Sequence, residues 1–319
     1  MTTGVVVMAY GTPRDAADVA TFYTDVRHGR PPTPELLADL ERRYGAIGGI
    51  SPLNDRTAAQ VHALGRALDQ LEPGQYRVRY GAKHSAPRIE EAVAQLAADG
   101  VDALVGLVLA PHYSKLSVGE YVERARAAAD DAGLASGFVE QWHDDEVLVD
   151  VLAERVLAAR AKIELELAQE ATSAPAPFPL EVCFTAHSLP ERILEAGDPY
   201  PAQLAETAAL VARRAGLAHH RVGYQSAGRT KERWIGPDIL DLIRTLAADG
   251  VRGVIVCPAG FTSDHLEVLY DLDIEARALA HALGMALVRT ESLNDDPRIA
   301  AALARRIAAA RPLPPTVKG

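Results

Sequence analysis

The sequence lacks the features that mark several common classes of protein. Of its 319 residues only two are cysteines and 5% are aromatic, and the formal net charge is −10. An acidic chain is a poor partner for nucleic acid, which selects a basic face. No apolar run approaches the ~20 residues of a membrane-spanning helix, and the first residues do not form a signal peptide. We therefore expect a globular protein of the cytoplasm that does not insert into a membrane.

The two cysteines are also too few for the metal centres that thiolates build. Cys183 and Cys257 form no CxxC pair, and an iron–sulfur cluster is typically held by four thiolates. Both lie in apolar, strand-like runs, so we expect buried free thiols. GxxxxGKS, GxGxxG and GxSxG motifs are absent as well, which leaves nucleotide binding and serine hydrolysis without support.

Strand-like and helix-like patterns alternate along the chain, which predicts parallel sheets covered by helices on both faces. Helices are predicted over residues 36–44, where Thr33 and Pro34 form the start and Gly45 the end, and over 90–99 and 202–215. The predicted strands are residues 5–9, 76–80, 103–110, 181–186 and 253–258.

Two internal sequence repeats predict that the chain contains two related α/β halves. Residues 7–13 (VMAYGTP) resemble residues 184–190 (FTAHSLP), and LAADGV occurs at both 96–101 and 246–251. We assign the halves to residues 1–145 and 146–319, with the join expected within 164–179. We expect that a C-terminal helix can pack back on the first half and that the proline-containing tail 311–319 frays. Tyr10 and His187 would then occupy equivalent strand ends, where parallel sheets bind ligands, and could face each other across one cleft.

An acidic stripe follows the last of these predicted strands. On an α-helix Asp264, Glu267, Asp271 and Glu275 would fall within about 80° of one another, with Asp273 on the opposite side. Like charges at this spacing destabilise a helix, so a cation or a transported proton could compensate them. The alternative is a surface helix with Asp264 as its N-cap and Glu267 as the capping-box partner.

Other candidate residues also have structural alternatives. His187 could ligate a metal or exchange protons with a carboxylate, or it could be a satisfied structural histidine. Arg27, His28 and Arg30 could form an anion-binding rim or a solvated loop. The turn at residues 48–52 could bring backbone and the Ser51 hydroxyl close to a ligand, or it could be an ordinary glycine turn.

Several longer stretches resemble the ferrochelatase family, from about Val5 to Leu293. The pairing of AHSLP with DHLE at this separation is highly specific. Within the family the chain is most similar to the soluble coproporphyrin III ferrochelatases of Gram-positive bacteria. The resemblance implies two similar Rossmann-like, chelatase-type domains with the active cleft between them. The matching stretches are MAYGTP (8–13), YGAIGGISPL (44–53), LAPHYS (109–114), TAHSLP (185–190), GDPY (197–200), GYQS (223–226) and DHLEVLYD (264–271).

The same resemblance implies roles for individual residues. His187 and Glu267 would be the catalytic iron site and proton acceptors. Tyr10 would contact the metal axially from the opposite face, and Asp271 with Glu275 would form an outer path for metal or protons. The implied porphyrin contacts are Tyr10, Tyr23, Arg27, Arg43, Tyr44, Ser51 and Tyr121. Tyr224 stands where relatives often have tryptophan.

The implied activity is insertion of Fe²⁺ into coproporphyrin III to give coprohaem III in haem b biosynthesis, a lyase reaction. Fe²⁺ is a substrate, and neither a permanently bound cofactor nor an iron–sulfur cluster is expected. We expect a monomer that contacts the upstream oxidase and the downstream haem-forming decarboxylase transiently. Alternatives are a protoporphyrin IX ferrochelatase, a cobalt or nickel chelatase, and a non-catalytic haem or porphyrin carrier with Tyr10 as axial ligand.

Overall fold

The computed structural model describes residues 2–170 and 178–312. The chain divides into two compact units. The first unit comprises Met1–Arg42, Ile50–Trp142 and Asn294–Gly319, and the second comprises Arg43–Gly49 and His143–Leu293. The chain thus leaves the first unit after Trp142 and returns to it at Asn294. Residues 171–177 of the expected join and 313–319 of the expected tail lie outside the described residues.

Eight strands and eleven α-helices are formed by the described residues. In chain order up to Trp142 they are β1 (Thr3–Ala9), α1 (Val19–Val26), α2 (Pro34–Ala46), α3 (Leu53–Leu71), β2 (Tyr76–Ala82), α4 (Ile89–Ala98), β3 (Ala103–Val108), α5 (Glu120–Asp131) and β4 (Ala135–Val139). After it follow α6 (Glu146–Glu170), β5 (Leu180–His187), α7 (Arg192–Glu195), α8 (Tyr200–Arg214), β6 (Arg221–Gln225), α9 (Ile239–Ala248), β7 (Gly253–Cys257), α10 (Arg277–Ala282), β8 (Ala286–Arg289) and α11 (Pro297–Ala309). Short 3₁₀ and π-helical segments cover Ala16–Asp18, Lys115–Gly119 and Val268–Ala276.

The two units share one topology. The first sheet has the order β2-β1-β3-β4 and the second has the order β6-β5-β7-β8, and all strand pairs are parallel. The repeated LAADGV segments occupy matching places, each ending a helix (α4 or α9) before a central strand (β3 or β7). Tyr10 follows β1 and His187 ends β5, so the predicted equivalence of these strand ends is confirmed.

Each unit has its own apolar core between its sheet and its helices. The first core includes Met8 of β1 and Leu96 of α4, and the second includes Val256 of β7 and Leu246 of α9, all of them almost fully buried. The two cysteines are free and buried in the second unit, and burial raises the pKa of the Cys257 thiol to about 12. The prediction of buried free thiols is therefore confirmed.

Sequence patterns found the edge strand β2 but missed the other three edge strands, and they misplaced some ends. β4, β6 and β8 are only four or five residues long, too short to show a clear alternation. α2 continues through Gly45 to Ala46, so Gly45 is not the stop. Across the described part of the chain, no helix is long and apolar enough to cross a membrane.

Candidate active site

His187 and Glu267 lie together in the second unit, at the carboxyl end of the sheet. His187 is the last residue of β5, and Glu267 lies just after the loop that follows β7. The His187 Nε2 atom is 3.5 Å from Glu267 Oε1, and 35% and 31% of the two side chains are exposed. Both groups are therefore close enough to share a proton and open enough to reach a ligand.

The surrounding contacts fix the orientation of this pair. The Nδ1 atom of His187 is hydrogen-bonded to the Ser188 carbonyl, which directs Nε2 toward Glu267. The Tyr200 hydroxyl donates to the His187 carbonyl at 2.8 Å. The Gln225 amide donates to the Glu267 carbonyl at 3.1 Å. Both backbone positions are thus held by neighbouring side chains.

Electrostatics favour an imidazolium–carboxylate pair. Burial favours neutral His187, but the Glu267 carboxylate, together with the Ser188 carbonyl and Asp271, outweighs it and raises the pKa of His187 above its ordinary value. Burial would likewise raise the pKa of Glu267, yet His187 and His265, whose Nε2 is 3.6 Å from Glu267 Oε2, lower that pKa strongly. The titration belongs to the coupled pair, and the shared proton favours the imidazole over the carboxylate.

Asp271 lies buried near this pair. Its carboxylate accepts hydrogen bonds from Arg43 and from the Ser226 hydroxyl, and Ser226 has a left-handed backbone with a φ of 61°. Burial raises the pKa of Asp271 to about 6, against the opposing effect of Arg43. This carboxyl group can therefore exchange a proton near neutral pH.

Only part of the predicted acidic stripe is present in the structure. Glu267, Asp271 and exposed Glu275 follow one another at four-residue spacing, but Val268–Ala276 is π-helical and not α-helical. Asp264 lies in the preceding loop, where it accepts a hydrogen bond from Ser292 at 2.8 Å. It is therefore neither a member of the stripe nor a helix N-cap, and both predictions for it were wrong. A short-range spacing rule could not foresee the wider π-helical turns.

Arg289 compensates Asp264 and Asp273, the two aspartates that lie outside the stripe. It is 3.2 Å from Asp264 and binds Asp273 through two hydrogen bonds of 2.9 Å. Asp273 also lies 3.5 Å from Arg277. This arrangement ties the loop carrying Asp264 to β8.

In the first unit, Tyr10 belongs to a cluster of rings. Its side chain is 43% exposed, and its ring centroid is 4.6 Å from that of His84 and 6.2 Å from that of Phe22. His84 Nδ1 is 2.7 Å from Asp25 Oδ1. Burial lowers the pKa of His84 to about 4, and the Arg88 guanidinium lowers that of Asp25 to about 2. A neutral imidazole therefore faces an ionised carboxylate.

The remaining predicted porphyrin contacts differ in exposure. Arg27 lies over the Tyr23 ring at 5.7 Å, and both are partly exposed. Ser51 is buried and accepts a hydrogen bond from the Leu53 amide at 3.2 Å. Tyr121 is buried beneath Lys83, whose Nζ is 5.3 Å from the ring centroid.

The other two predicted contacts, Arg43 and Tyr44, lie on the part of α2 that belongs to the second unit. Tyr44 is buried. The Arg43 guanidinium binds Asp271 and lies over the Tyr270 ring at 4.7 Å. The binding roles of all these residues stay predictions.

Sequence reasoning missed several residues that shape the site. His265 contacts Glu267, and the Trp234 ring is 6.4 Å from that of His187. His84 and Asp25 support Tyr10. The position of His84 in the sequence could have identified it, because His84 follows the end of β2 as Tyr10 follows β1.

A resident metal site is not evident. Among residues 2–170 and 178–312, no group of three or more His, Cys, Asp or Glu side chains could hold a metal ion. His187 and Glu267 supply two ligands of the kinds that bind iron.

Comparisons with known proteins agree with this chemistry. The ferrochelatase family model matches residues 2–311. The coproporphyrin III ferrochelatase of Geobacillus sp. (strain WCH70) is 43% identical over 304 residues, covering 94% of this chain and 95% of the relative. That of Bacillus subtilis (strain 168) is 42% identical, covering 94% and 95%. The ferrochelatase of Herpetosiphon aurantiacus is 41% identical, covering 92% and 94%.

Solved structures show the same fold at low sequence identity. The sirohydrochlorin chelatase SirB from Bacillus subtilis subspecies spizizenii in complex with cobalt has a TM-score of 0.56 at 10% identity, covering 97% of this chain and 95% of that one. SirB from Bacillus subtilis with Fe³⁺ has a TM-score of 0.55 at 11% identity, covering 97% and 96%. Fold, motifs and sequence identity together show that this chain belongs to the ferrochelatase family.

Proposed function

We propose that this protein inserts Fe²⁺ into coproporphyrin III and releases coprohaem III, as a step of haem b biosynthesis. The observation that carries the proposal is the His187–Glu267 pair at the end of β5, held in place and partly exposed. The relatives named coproporphyrin III ferrochelatase, which match nearly the whole chain, support this choice of substrate.

His187 and Glu267 are assigned the proton chemistry. A porphyrin loses two N–H protons as the metal enters, so groups beside the ring nitrogens must accept them. Positioned bases typically contribute 10²–10⁴-fold to such steps. Whenever the imidazole is protonated, His187 must pass that proton on before its Nε2 can accept another or contact Fe²⁺. Glu267, as the ionised partner, stabilises the imidazolium after each transfer.

We propose that Asp271 and Glu275 form the path for protons or Fe²⁺ between the His187–Glu267 pair and the solvent. The Asp271 pKa of about 6 suits a group that takes up and releases protons at neutral pH. Glu275 is exposed one step further along the π-helical segment. The two carboxyl groups can therefore carry protons out or Fe²⁺ in along one side of that segment.

We propose that contacts at the periphery of the porphyrin supply the energy that distorts its ring. Bending the macrocycle exposes the nitrogen lone pairs, and remote contacts supply the strain energy. Coproporphyrin carries four propionates, which need polar anchors, and we assign these to Arg27, Arg43 and Ser51. Tyr10, Tyr23, Tyr44 and Tyr121 complete the proposed porphyrin contacts, with Tyr10 reaching the metal axially from the face opposite His187.

The proposal extends to the cellular setting. We propose a cytoplasmic monomer that takes Fe²⁺ as substrate, carries no resident cofactor or iron–sulfur cluster, and meets the porphyrin-forming oxidase and the haem-forming decarboxylase transiently. The acidic chain and its two buried cysteines support these choices.

One assay tests the function directly. The purified protein is incubated anaerobically with Fe²⁺, Co²⁺ or Ni²⁺ and either coproporphyrin III or protoporphyrin IX, and metalloporphyrin formation is followed by absorbance. We expect faster insertion into coproporphyrin III. Faster insertion into protoporphyrin IX would change the substrate. Porphyrin binding without any insertion would favour a carrier, and insertion of Co²⁺ or Ni²⁺ alone would favour a different chelatase.

A further inference from the structure

Close to Tyr10 the first unit contains a charged pair that the proposed mechanism does not use. Asp25 lies on α1, and Arg88 directly precedes α4. The Arg88 Nη2 atom is 2.5 Å from Asp25 Oδ2, and Nη1 is 3.2 Å from Oδ1. The guanidinium fork thus holds both carboxylate oxygens, the geometry in which arginine gives most specificity.

The pair fixes the ring of His84. Asp25 Oδ1 is 2.7 Å from His84 Nδ1, and the His84 side chain is 8% exposed. Because the ionised carboxylate can only accept, we assign the proton to Nδ1. The ring orientation is then determined, as it is for histidines oriented by a carboxylate beside a metal site.

The oriented His84 ring packs against Tyr10. Their centroids are 4.6 Å apart with an interplanar angle of 59°, and the His84 amide donates to the Tyr10 carbonyl at 3.0 Å. Phe22 completes the cluster at 6.2 Å from Tyr10 and 6.5 Å from His84. A tyrosine that is 43% exposed is therefore restrained on the side of His84.

Arg88 is itself anchored. Its Nη1 atom donates to the Lys83 carbonyl at 2.7 Å, and Arg124 donates to the same carbonyl at 2.9 Å. Arg124 in turn binds both oxygens of Glu90, at 2.7 and 2.8 Å. The support of Tyr10 is thus continuous from α4 and α5 through Arg88 and Asp25 to His84.

We propose that Asp25 is a positioning residue which, through His84, holds the Tyr10 phenol in the orientation needed to contact the metal. The inference rests on the proposed function, because it assumes that Tyr10 meets the metal of a bound metalloporphyrin. Asp25 acts at a distance and touches neither substrate nor metal. Loss of such outer partners typically costs 10–100-fold in activity or metal affinity.

The test compares ligation and turnover in full-length variants. Ferric coproporphyrin III is the probe, and resonance Raman spectroscopy reports the tyrosinate-to-iron charge-transfer signal. Asp25→Asn keeps the side-chain shape but removes the charge, and we expect a weakened signal and a roughly tenfold lower kcat/KM for Fe²⁺ insertion. Asp25→Glu restores the carboxylate and should recover most of both.

Asp99→Asn is the matched control. Asp99 pairs with Arg79 at 2.8 Å and is 35% exposed, against 32% for Asp25. It follows α4 at the end away from Arg88, about 15 Å along a ten-residue helix. This variant should keep the wild-type signal and turnover.

The outcomes separate the two proposals. A wild-type signal and turnover in Asp25→Asn would overturn the positioning role, as would equal losses in Asp25→Asn and Asp99→Asn. An unchanged resonance Raman signal in Tyr10→Phe would also overturn the positioning role. That result would not affect the proposal that the protein inserts iron. Wild-type protein that inserts no iron would instead defeat the proposed function. If Asp25→Asn does not fold, Arg88→Lys replaces the fork by a point charge, and an unchanged signal there overturns the positioning role.

Discussion

The Nε2 atom of His187 lies 3.5 Å from Oε1 of Glu267, although β5 carries the first residue and the segment after β7 carries the second. β5 and β7 are neighbours in the second sheet. Parallel neighbours end at the same edge, which is why two motifs distant in sequence meet there. Removing the imidazole of His187 or the charge of Glu267 therefore tests this pair.

Removing the imidazole should abolish most of the turnover while sparing porphyrin binding. For His187→Ala we expect kcat to fall by about 10²–10⁴-fold, the usual contribution of a positioned base. Stopped-flow absorbance of Fe²⁺ insertion measures it, and fluorescence quenching measures porphyrin affinity. His281→Ala, at an exposed position of α10, is the control. Full turnover in His187→Ala would remove the catalytic assignment.

Neutralising Glu267 should reverse the pKa shift of His187. In the wild type the carboxylate outweighs burial and raises this pKa. In Glu267→Gln only burial and weaker contacts remain, so we expect the pKa of His187 to fall. An NMR titration of the imidazole carbons in the metal-free protein measures both values. An equal or higher pKa in the variant would show that Glu267 is not the cause.

Asp271 should make the protein less stable as the pH rises from about 4 to 6. Its pKa is raised to about 6 in the folded state, so the folded chain retains a proton that the unfolded chain has released. The loss amounts to about 3 kcal/mol. Asp271→Asn cannot ionise, so its stability relative to the wild type should rise over this pH range. Urea unfolding at several pH values measures the difference, and a constant difference would contradict the shift.

Arg289 should be one of the more sensitive positions for stability. Its side chain is 13% exposed and faces Asp264 and Asp273. Arg289→Met would leave both part-buried carboxylates without this partner, at a cost of roughly 3–5 kcal/mol. Arg277→Met breaks an exposed pair with Asp273 and should cost less than about 1 kcal/mol. Similar costs in chemical denaturation would argue against the special role of Arg289.

Two glycine-to-alanine substitutions should change the stability of the protein in opposite directions. A methyl group at Gly260 would lie 2.4 Å from the Ala186 Cβ atom, next to His187. We expect Gly260→Ala to cost about 1–3 kcal/mol and to lower turnover. Gly65 lies inside α3 with no atom closer than 4.0 Å to a new methyl group, so Gly65→Ala should stabilise by about 0.5–1 kcal/mol. Thermal melts and the insertion assay check both.

The second unit shows how far local patterns reach. β5 and β7 are continuous apolar runs, so they were predictable, and so was the convergence of His187 with Glu267 once the strands were taken as parallel. Asp264 was not predictable, because its partner Arg289 comes from β8 and no local pattern specifies that contact. The π-helical course of Val268–Ala276 was also unforeseen, because acidic residues at four-residue spacing do not distinguish α-helical from π-helical turns.

The sequence by itself determined the duplicated α/β architecture, the strand ends that carry Tyr10 and His187, and the family. These properties are encoded in apolar periodicity and in contiguous motifs, which are local. Only the tertiary structure decided that Arg43 binds Asp271, that Arg289 joins Asp264 to Asp273, and that Asp25 orients His84. Those contacts join segments far apart in the chain, so no spacing rule contains them.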